Sequence, residues 1–275
     1  MLTDYHVHLR PDEPETPPER YFTPENVGRY LDAAAAAGIG ELGVSEHAHR
    51  FHQALDVWRH PFWEQEAVDD LDAYVEFLGS QPLRAGIEMD HVLGAEERIE
   101  ALLSARPFDY VIGSVHFIGD GAVDHPGYDV WELEGHDPER VWSRYFETLA
   151  EAAASGLYDT LAHPDLVKVW GAGTPVPDGD LRRFYEPAVE AIAAAGVAVE
   201  VSTAGLSKPV GELYPAPELA ALCVEAGVPF TLSSDAHIPA EVGRAYDQAV
   251  DFMRSLGIRE ICVFERRERR LVPLG

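Results

Sequence analysis

Glycines punctuate this chain at regular intervals, each ending one element and beginning another. The segments GIGELGVSEH (38–47), GLYDTLAHPD (156–165), GVAVEVSTAG (196–205), GVPFTLSSDAH (227–237) and GIREICVFE (257–265) all open on a glycine that stops a helical stretch. Each continues into a short β-branched run, and the first four finish in polar residues. The helices between them carry their own start signals. Thr23-Pro24-Glu25 opens one that runs through alanines to Gly38, and Asp137-Pro138-Glu139 opens another that runs to Gly156. Both show an oxygen acceptor at the cap, proline at the first helical position and acid in the first turn. Pro187, Pro217 and Pro239 are expected near the starts of three more, ending at Gly196, Gly227 and Gly257.

Adding LTDYHVH (2–8), LRAGIEMDH (83–91) and YVIGSVHF (110–117) gives about eight strand candidates alternating with helices. Apolar strands separated by amphipathic helices imply a parallel sheet covered by helices. Eight such units in 275 residues fit a closed α/β barrel better than an open sheet, and no linker or low-complexity tract divides residues 1–275. Two long insertions, 49–82 and 117–136, follow strand ends and are expected to act as lids. An acidic, proline-rich loop occupies 11–19.

Charge excludes some functions. The formal net charge is −27, from 21 basic against 48 acidic residues, so the chain lacks the basic face that a nucleic-acid partner requires. The plain reading of the excess is solubility. No apolar run approaches the ~20 residues that span a bilayer. The start MLTDYHVHL has neither the basic region nor the apolar stretch of a leader. Cys223 and Cys262 make no disulfide framework, so a cytoplasmic setting is expected.

The strand ends collect the chemistry. Strand one ends in His6 and His8, strand two in Glu46 and His47, and strand three in Glu88 and Asp90. Strand four ends in His116, strand five in His163 and Asp165, strand six in Ser202 and Thr203, and strand seven in Asp235 and His237. In a β/α barrel these ends converge on one mouth. His6 and His8 are two apart on a strand and share a face, as two ligands of one ion require; Asp235 and His237 repeat the spacing. Taken singly, each has an ordinary explanation: a surface pair, a hydrogen-bonded core histidine, or an arginine partner for Glu88, whose burial in an apolar strand is otherwise costly. Together they would leave a pocket of unpaired acids and imidazoles, which two or three divalent cations satisfy. His49, His52, His60, His125 and His136 are expected as surface or loop histidines, and His91 should point away from Asp90. The chain's two lysines, Lys168 and Lys208, both fall beside the mouth and are expected to bind a phosphate there.

DYHVH, SEH, GIEMD, IGSVH, AHPD, STAGLSKP and SSDAH, in this order, resemble the polymerase-and-histidinol-phosphatase (PHP) superfamily, and several of them its histidinol-phosphate phosphatase branch. The resemblance spans residues 4–239. It implies a distorted (β/α)7 TIM-like barrel, so the eighth strand candidate would lie outside the ring. It also implies a site for Zn, Mn or Fe ions: His6, His8, Glu88 and Asp235 around the first, Glu88 with His116 and His163 around the second, and His47 with His237 around a third. Lys168 and Lys208 occupy the branch's phosphate-binding positions. Two departures stand out. The family's further histidine shortly after the first strand is missing from LRPDEPE (9–15), leaving Asp12, Glu13 or a loop histidine to complete the third position, and the usual Asp-His after strand two is Glu46-His47.

The expected reaction is hydrolysis of a small phosphate monoester by a hydroxide that close cations activate, with histidinol phosphate as the substrate. Asp165 or His237 would protonate the leaving alkoxide, and Asp90 or Asp12 would meet the substrate amine. The competing readings are another small phosphate ester or diester, and a non-catalytic metal-binding module. Oligomeric state is not fixed by the sequence.

Overall fold

The computed structural model describes residues 1–11 and 18–275; Asp12 and Glu13 lie outside the described residues. Seven strands form one parallel sheet in chain order: β1 (Leu2–Asp4), β2 (Ile39–His47), β3 (Arg84–Asp90), β4 (Tyr110–Ser114), β5 (Thr160–Leu161), β6 (Ala198–Ser202) and β7 (Phe230–Ser233). Beyond β1, the Val7 carbonyl accepts from the Ser45 N–H (2.9 Å), and Val7 bridges Ala236, which returns the last strand to the first. The eighth strand candidate, β8 (Glu260–Glu265), pairs antiparallel with β9 (Glu268–Pro273) outside the ring.

The interior explains the close strand packing at the N-terminal end. Tyr110, on β4, lies against Tyr5 with ring centroids 4.9 Å apart and donates to the Tyr5 carbonyl at 2.6 Å. Its ring occupies the space a side chain would need at Gly43 and Gly86: an added Cβ at Gly86 would sit 2.3 Å from it. Phe264 of β8 stacks within 6.3 Å of Tyr110, so the hairpin closes this end of the barrel. The imidazoles and carboxylates of the strand ends gather at the opposite end.

Helix starts follow local chemistry. Thr23 caps α1 (Pro24–Ala36) by accepting from the Asn26 N–H, and Asp137 caps the helix Pro138–Ala154 by accepting from the Arg140 N–H. Pro217 begins the helix Pro217–Glu225 as expected. Two expectations need correction. Pro187 lies inside the helix Arg182–Ala195, whose first residue's N–H donates to the Asp180 carboxylate at 2.9 Å. Pro239 opens a 3₁₀ turn, Pro239–Glu241, and the helix begins only at Tyr246.

The two insertions are ordered and pack on each other through aromatic rings. Trp58 and Phe62 from the first meet Phe117 of the second at 5.2 and 5.9 Å, and Phe62 meets His125 at 4.9 Å. No helix among the described residues is long and apolar enough to cross a membrane.

Candidate metal centre and cavity

At the C-terminal ends of the strands a cavity of about 510 Å³ opens, walled by His47, His116, His163, Asp235 and His237 and by residues of both insertions. Register sets the arrangement: His47 of β2 lies directly beside Glu88 of β3, and Asp90 beside Ser114 of β4. Side chains two apart on a strand share a face, so His6 and His8 both turn inward and are fully buried.

Glu88 is the hub. Its Oε2 lies 3.1 Å from His6 Nε2, 2.6 Å from His47 Nδ1 and 3.6 Å from His8 Nε2. Its Oε1 lies 3.4 Å from His163 Nε2 and 3.6 Å from His116 Nε2. Asp235 Oδ1 faces His8 Nε2 at 3.3 Å and His6 Nε2 at 3.5 Å. The ring of His8 stacks between His47 (4.2 Å) and His237 (4.3 Å). Burial opposes charge on Glu88, but the imidazoles of His6, His47 and His116 outweigh it and hold the carboxyl well below its usual range. Asp235, similarly penalised by burial, is held low chiefly by His6 and His8.

The residues fit divalent ions. Nε2 of His6 and His8, Nδ1 of His47 and both Glu88 oxygens are buried with no hydrogen-bond partner among the described residues. Such orphaned groups in a protein interior are expensive. Four groups bring ligand atoms within 4.8 Å of one another: His6-His8-Asp235, His6-Glu88-His163, His47-Glu88-His116 and His8-His47-His237. The last consists of imidazoles alone. Glu46 adds no ligand to it: Oε1 accepts from the Leu9 (2.5 Å) and Arg10 (2.9 Å) amides, and Oε2 from Arg50 at 2.8 Å. Burial opposes charge on Glu46, but His8, then Arg50 and the Arg10 amide, outweigh it and hold the carboxyl down at about 2.

Outer carboxylates orient the imidazoles. His6 Nδ1 is 2.9 Å from Glu200 Oε2, and His116 Nδ1 is 2.7 Å from Asp90 Oδ1. Donation from Nδ1 leaves each Nε2 lone pair facing inward, the tautomer a metal ligand needs. Burial opposes protonation of His116, but Asp90, Glu88 and Asp124 outweigh it and push the imidazole up to about 10, so a cation binding here would displace the Nε2 proton to reach that lone pair.

All eight expected ligands thus meet at one place, and Lys208 and His237 line the cavity. Three expected substrate-facing residues do not reach its wall. Asp90, expected to meet an amine, is held between His116 and His49, whose Nδ1 is 3.6 Å from its second oxygen. Asp165 is fully buried, accepting from the Ala216 N–H (2.8 Å) and pairing with Lys168 (2.9 Å). Lys168 is turned inward too, onto Asp165, Glu212 (3.2 Å) and the Leu213 carbonyl (3.1 Å). A one-turn 3₁₀ segment, Leu166–Lys168, places that lysine three residues from a buried acid, and the two neutralise each other.

The loop histidines divide. His52 and His136 are exposed as expected, whereas His49 and His60 are buried, and His49 stacks on His47 at 4.7 Å. His91 is buried as well, bonded to the Tyr158 hydroxyl at 3.1 Å rather than to Asp90. Sequence reasoning missed four residues. Arg10 and Arg50 line the cavity, with Arg10 bound to Glu66 (3.1 Å) and Asp69 (3.3 Å). Glu200 braces His6, and Asp124 stands in the cavity wall. A usable signal existed for Glu200, a lone acid in the apolar strand AVEVS, the same feature that marked Glu88.

A parallel barrel whose strand ends converge their imidazoles and carboxylates on one cavity defines a metal-binding enzyme scaffold. The chain belongs to the PHP domain family, which it matches over residues 23–204, with a PHP-associated match over 220–256. It is 35% identical over 252 residues to the Deinococcus radiodurans protein named "Probable histidinol-phosphatase", covering 89% of this chain and 91% of that one. It is 25% identical to the histidinol-phosphatase of Lactococcus lactis, covering 94% and 92%. In fold it is similar to the Lactococcus lactis histidinol phosphate phosphatase solved with zinc, L-histidinol and phosphate (TM-score 0.74, 22% identity, 98% of each chain). A Listeria monocytogenes structure overlays on 90% of this chain and 99% of its own with a TM-score of 0.72 at 19% identity.

Proposed function

We propose that this protein is a metal-dependent phosphomonoesterase that converts L-histidinol phosphate and water to L-histidinol and phosphate. The observation that carries the reading is the Glu88 hub: one buried carboxylate within 3.6 Å of five imidazoles, opening on a cavity that also holds Lys208, Arg10 and Arg50. The substrate comes from the relatives' names and from the ligands of the Lactococcus structure. Two divalent ions, one at His6-His8-Asp235 and one at Glu88 with His116 and His163, account for most of the orphaned atoms; zinc, manganese and iron all suit this donor set. The all-imidazole group His8-His47-His237 offers a weaker third position.

Bound divalent ions supply Lewis acidity and lower the pKa of coordinated water. The chain supplies the rest. Glu200 and Asp90 fix the tautomers of His6 and His116. Lys208 contributes point charge for the phosphate, while Arg10 and Arg50, in the same lining, are neutralised by Glu66, Asp69 and Glu46 and brace the mouth. His237 delivers the proton the leaving alkoxide needs, a role supported by its position in the cavity wall and withheld from Asp165 by burial. A cytoplasmic setting, a place in histidine biosynthesis and the absence of a nucleic-acid partner belong to the same proposal, the last supported by the acidic surface.

The test is turnover of a panel of phosphate esters by protein loaded with zinc or manganese, with metal content measured on the same samples. L-Histidinol phosphate should exceed glycerol phosphate and 4-nitrophenyl phosphate in kcat/KM by more than tenfold. Equal rates across the panel would move the substrate to another small ester or diester, and metal-loaded protein that cleaves none would leave a metal-binding module.

A further inference from the structure

The carboxylates around the mouth are nearly all committed. Glu66 is bound to Arg10, Glu46 to Arg50, Asp90 to His116, Asp165 to Lys168, and Asp235 faces His6 and His8. Asp124 is different. It sits half-buried in the cavity wall, between the 117–122 hairpin and the turn Pro126–Tyr128, within electrostatic reach of His116 but with no ion pair or side-chain hydrogen bond among the described residues. The cavity's remaining charge without an ion pair is of the opposite sign: Lys208 Nζ has no carboxylate within bridging distance among the described residues. Rings flank the acid, with Phe117 and His125 in the same wall and Trp170 tied beside it through Nε1 donation to the Val123 carbonyl at 2.8 Å. Among the described residues the cavity thus offers one cation and one anion outside any ion pair and an aromatic wall, complementary to a ligand carrying a phosphate, an ammonium and a flat ring.

We infer that Asp124 is the specificity residue that pairs with the ammonium of an amino-alcohol phosphate, while Lys208 and the ion cluster take its phosphate. This rests on the phosphomonoesterase reading and deepens it by assigning the recognition of the amine to one side chain. An unpaired carboxylate in a half-buried wall loses part of its hydration and regains it only when a cation arrives, so esters without the amine gain nothing from it and leave it stranded.

The test is Asp124→Asn, which keeps the shape and removes the charge. The ratio of kcat/KM for L-histidinol phosphate to that for 4-nitrophenyl phosphate should fall about tenfold to a hundredfold, the worth of one charge-assisted bond, with the loss mainly in KM. Calorimetry with L-histidinol as the probe follows the same contact without turnover: the variant should bind it at least about tenfold more weakly, while competitive inhibition by inorganic phosphate stays within about twofold. A variant that binds L-histidinol as tightly as the wild type overturns the inference, as does a variant that loses both esters in proportion. Wild type that binds L-histidinol but hydrolyses no ester overturns the phosphatase reading alone, and wild type that does not bind L-histidinol overturns both.

Discussion

Glu200 is a sharp place to test whether the carboxylates behind the imidazoles organise the site. It is almost fully buried, and its two oxygens serve two different strands: Oε2 meets His6 Nδ1 at 2.9 Å, and Oε1 accepts from the His163 N–H at 3.3 Å. Glu200→Gln conserves volume but offers one acceptor oxygen in place of two. If the amide oxygen turns to His6, its NH₂ confronts the His163 N–H; if it turns to His163, the NH₂ confronts Nδ1 and forces the wrong tautomer. A hydrogen bond to a charged acceptor contributes about 1.5–3 kcal/mol net, against about 0.5–1.5 for a neutral one. The substitution should therefore cost about 1–2 kcal/mol of metal affinity, roughly five- to thirtyfold, consistent with what loss of such an outer partner does elsewhere. Competition with a chromophoric chelator for zinc reads this directly, and kcat at saturating zinc should recover to within a fewfold of wild type because the ligands remain. Zinc affinity within about twofold of wild type would refute the argument, since it would mean that packing alone sets the His6 tautomer.

Further outcomes follow from particular contacts. Lys168→Ala strands the buried Asp165 carboxylate and should cost about 3 kcal/mol in urea unfolding; normal stability with a raised KM would instead put Lys168 on the phosphate. Lys208→Ala, at an exposed cavity position, should leave stability within about 0.5 kcal/mol and raise KM about tenfold. Gly86→Ala forces a methyl to within 2.3 Å of the Tyr110 ring, an overpacking that should lower stability by about 1–3 kcal/mol, measured by the urea midpoint.

The parallel barrel and the acids and imidazoles gathered at its strand ends were legible in the sequence because both depend on short-range periodicity. His6 and His8, or Asp235 and His237, announce a shared face by their spacing, and glycine-to-strand transitions mark where each unit begins. Residues whose role depends on a long-range partner were not legible. Glu200 reads as one acid in a strand until His6 is set beside it, and Arg10 and Arg50 read as loop arginines until both insertions fold against the mouth. Lys168 misled in the opposite direction. Its position after His163-Pro-Asp165 places it near the mouth, but nothing in the order of residues tells that a buried acid three positions earlier will draw its ammonium inward. Pro187 misled for a related reason: a proline near a helix start resembles the start itself, whereas this one sits in the second turn of Arg182–Ala195.

The bridge between Val7 and Ala236 has a consequence for how the fold is held. Its two residues are the middle members of His6-Val7-His8 and Asp235-Ala236-His237, with the His8 N–H donating to the Ala236 carbonyl at 2.8 Å and the Ala236 N–H to the His6 carbonyl at 3.3 Å. An ion held by His6, His8 and Asp235 would thus stitch from above the seam where the two ends of the sheet are zipped together. Contacts this remote in sequence carry the largest loop-closure cost and form late, so metal would act on the last step of assembly as well as on chemistry. Stripping the ions should speed amide exchange first at His8 and Ala236, opening the barrel along one line while its far end, closed by Tyr110 and the C-terminal hairpin, stays protected.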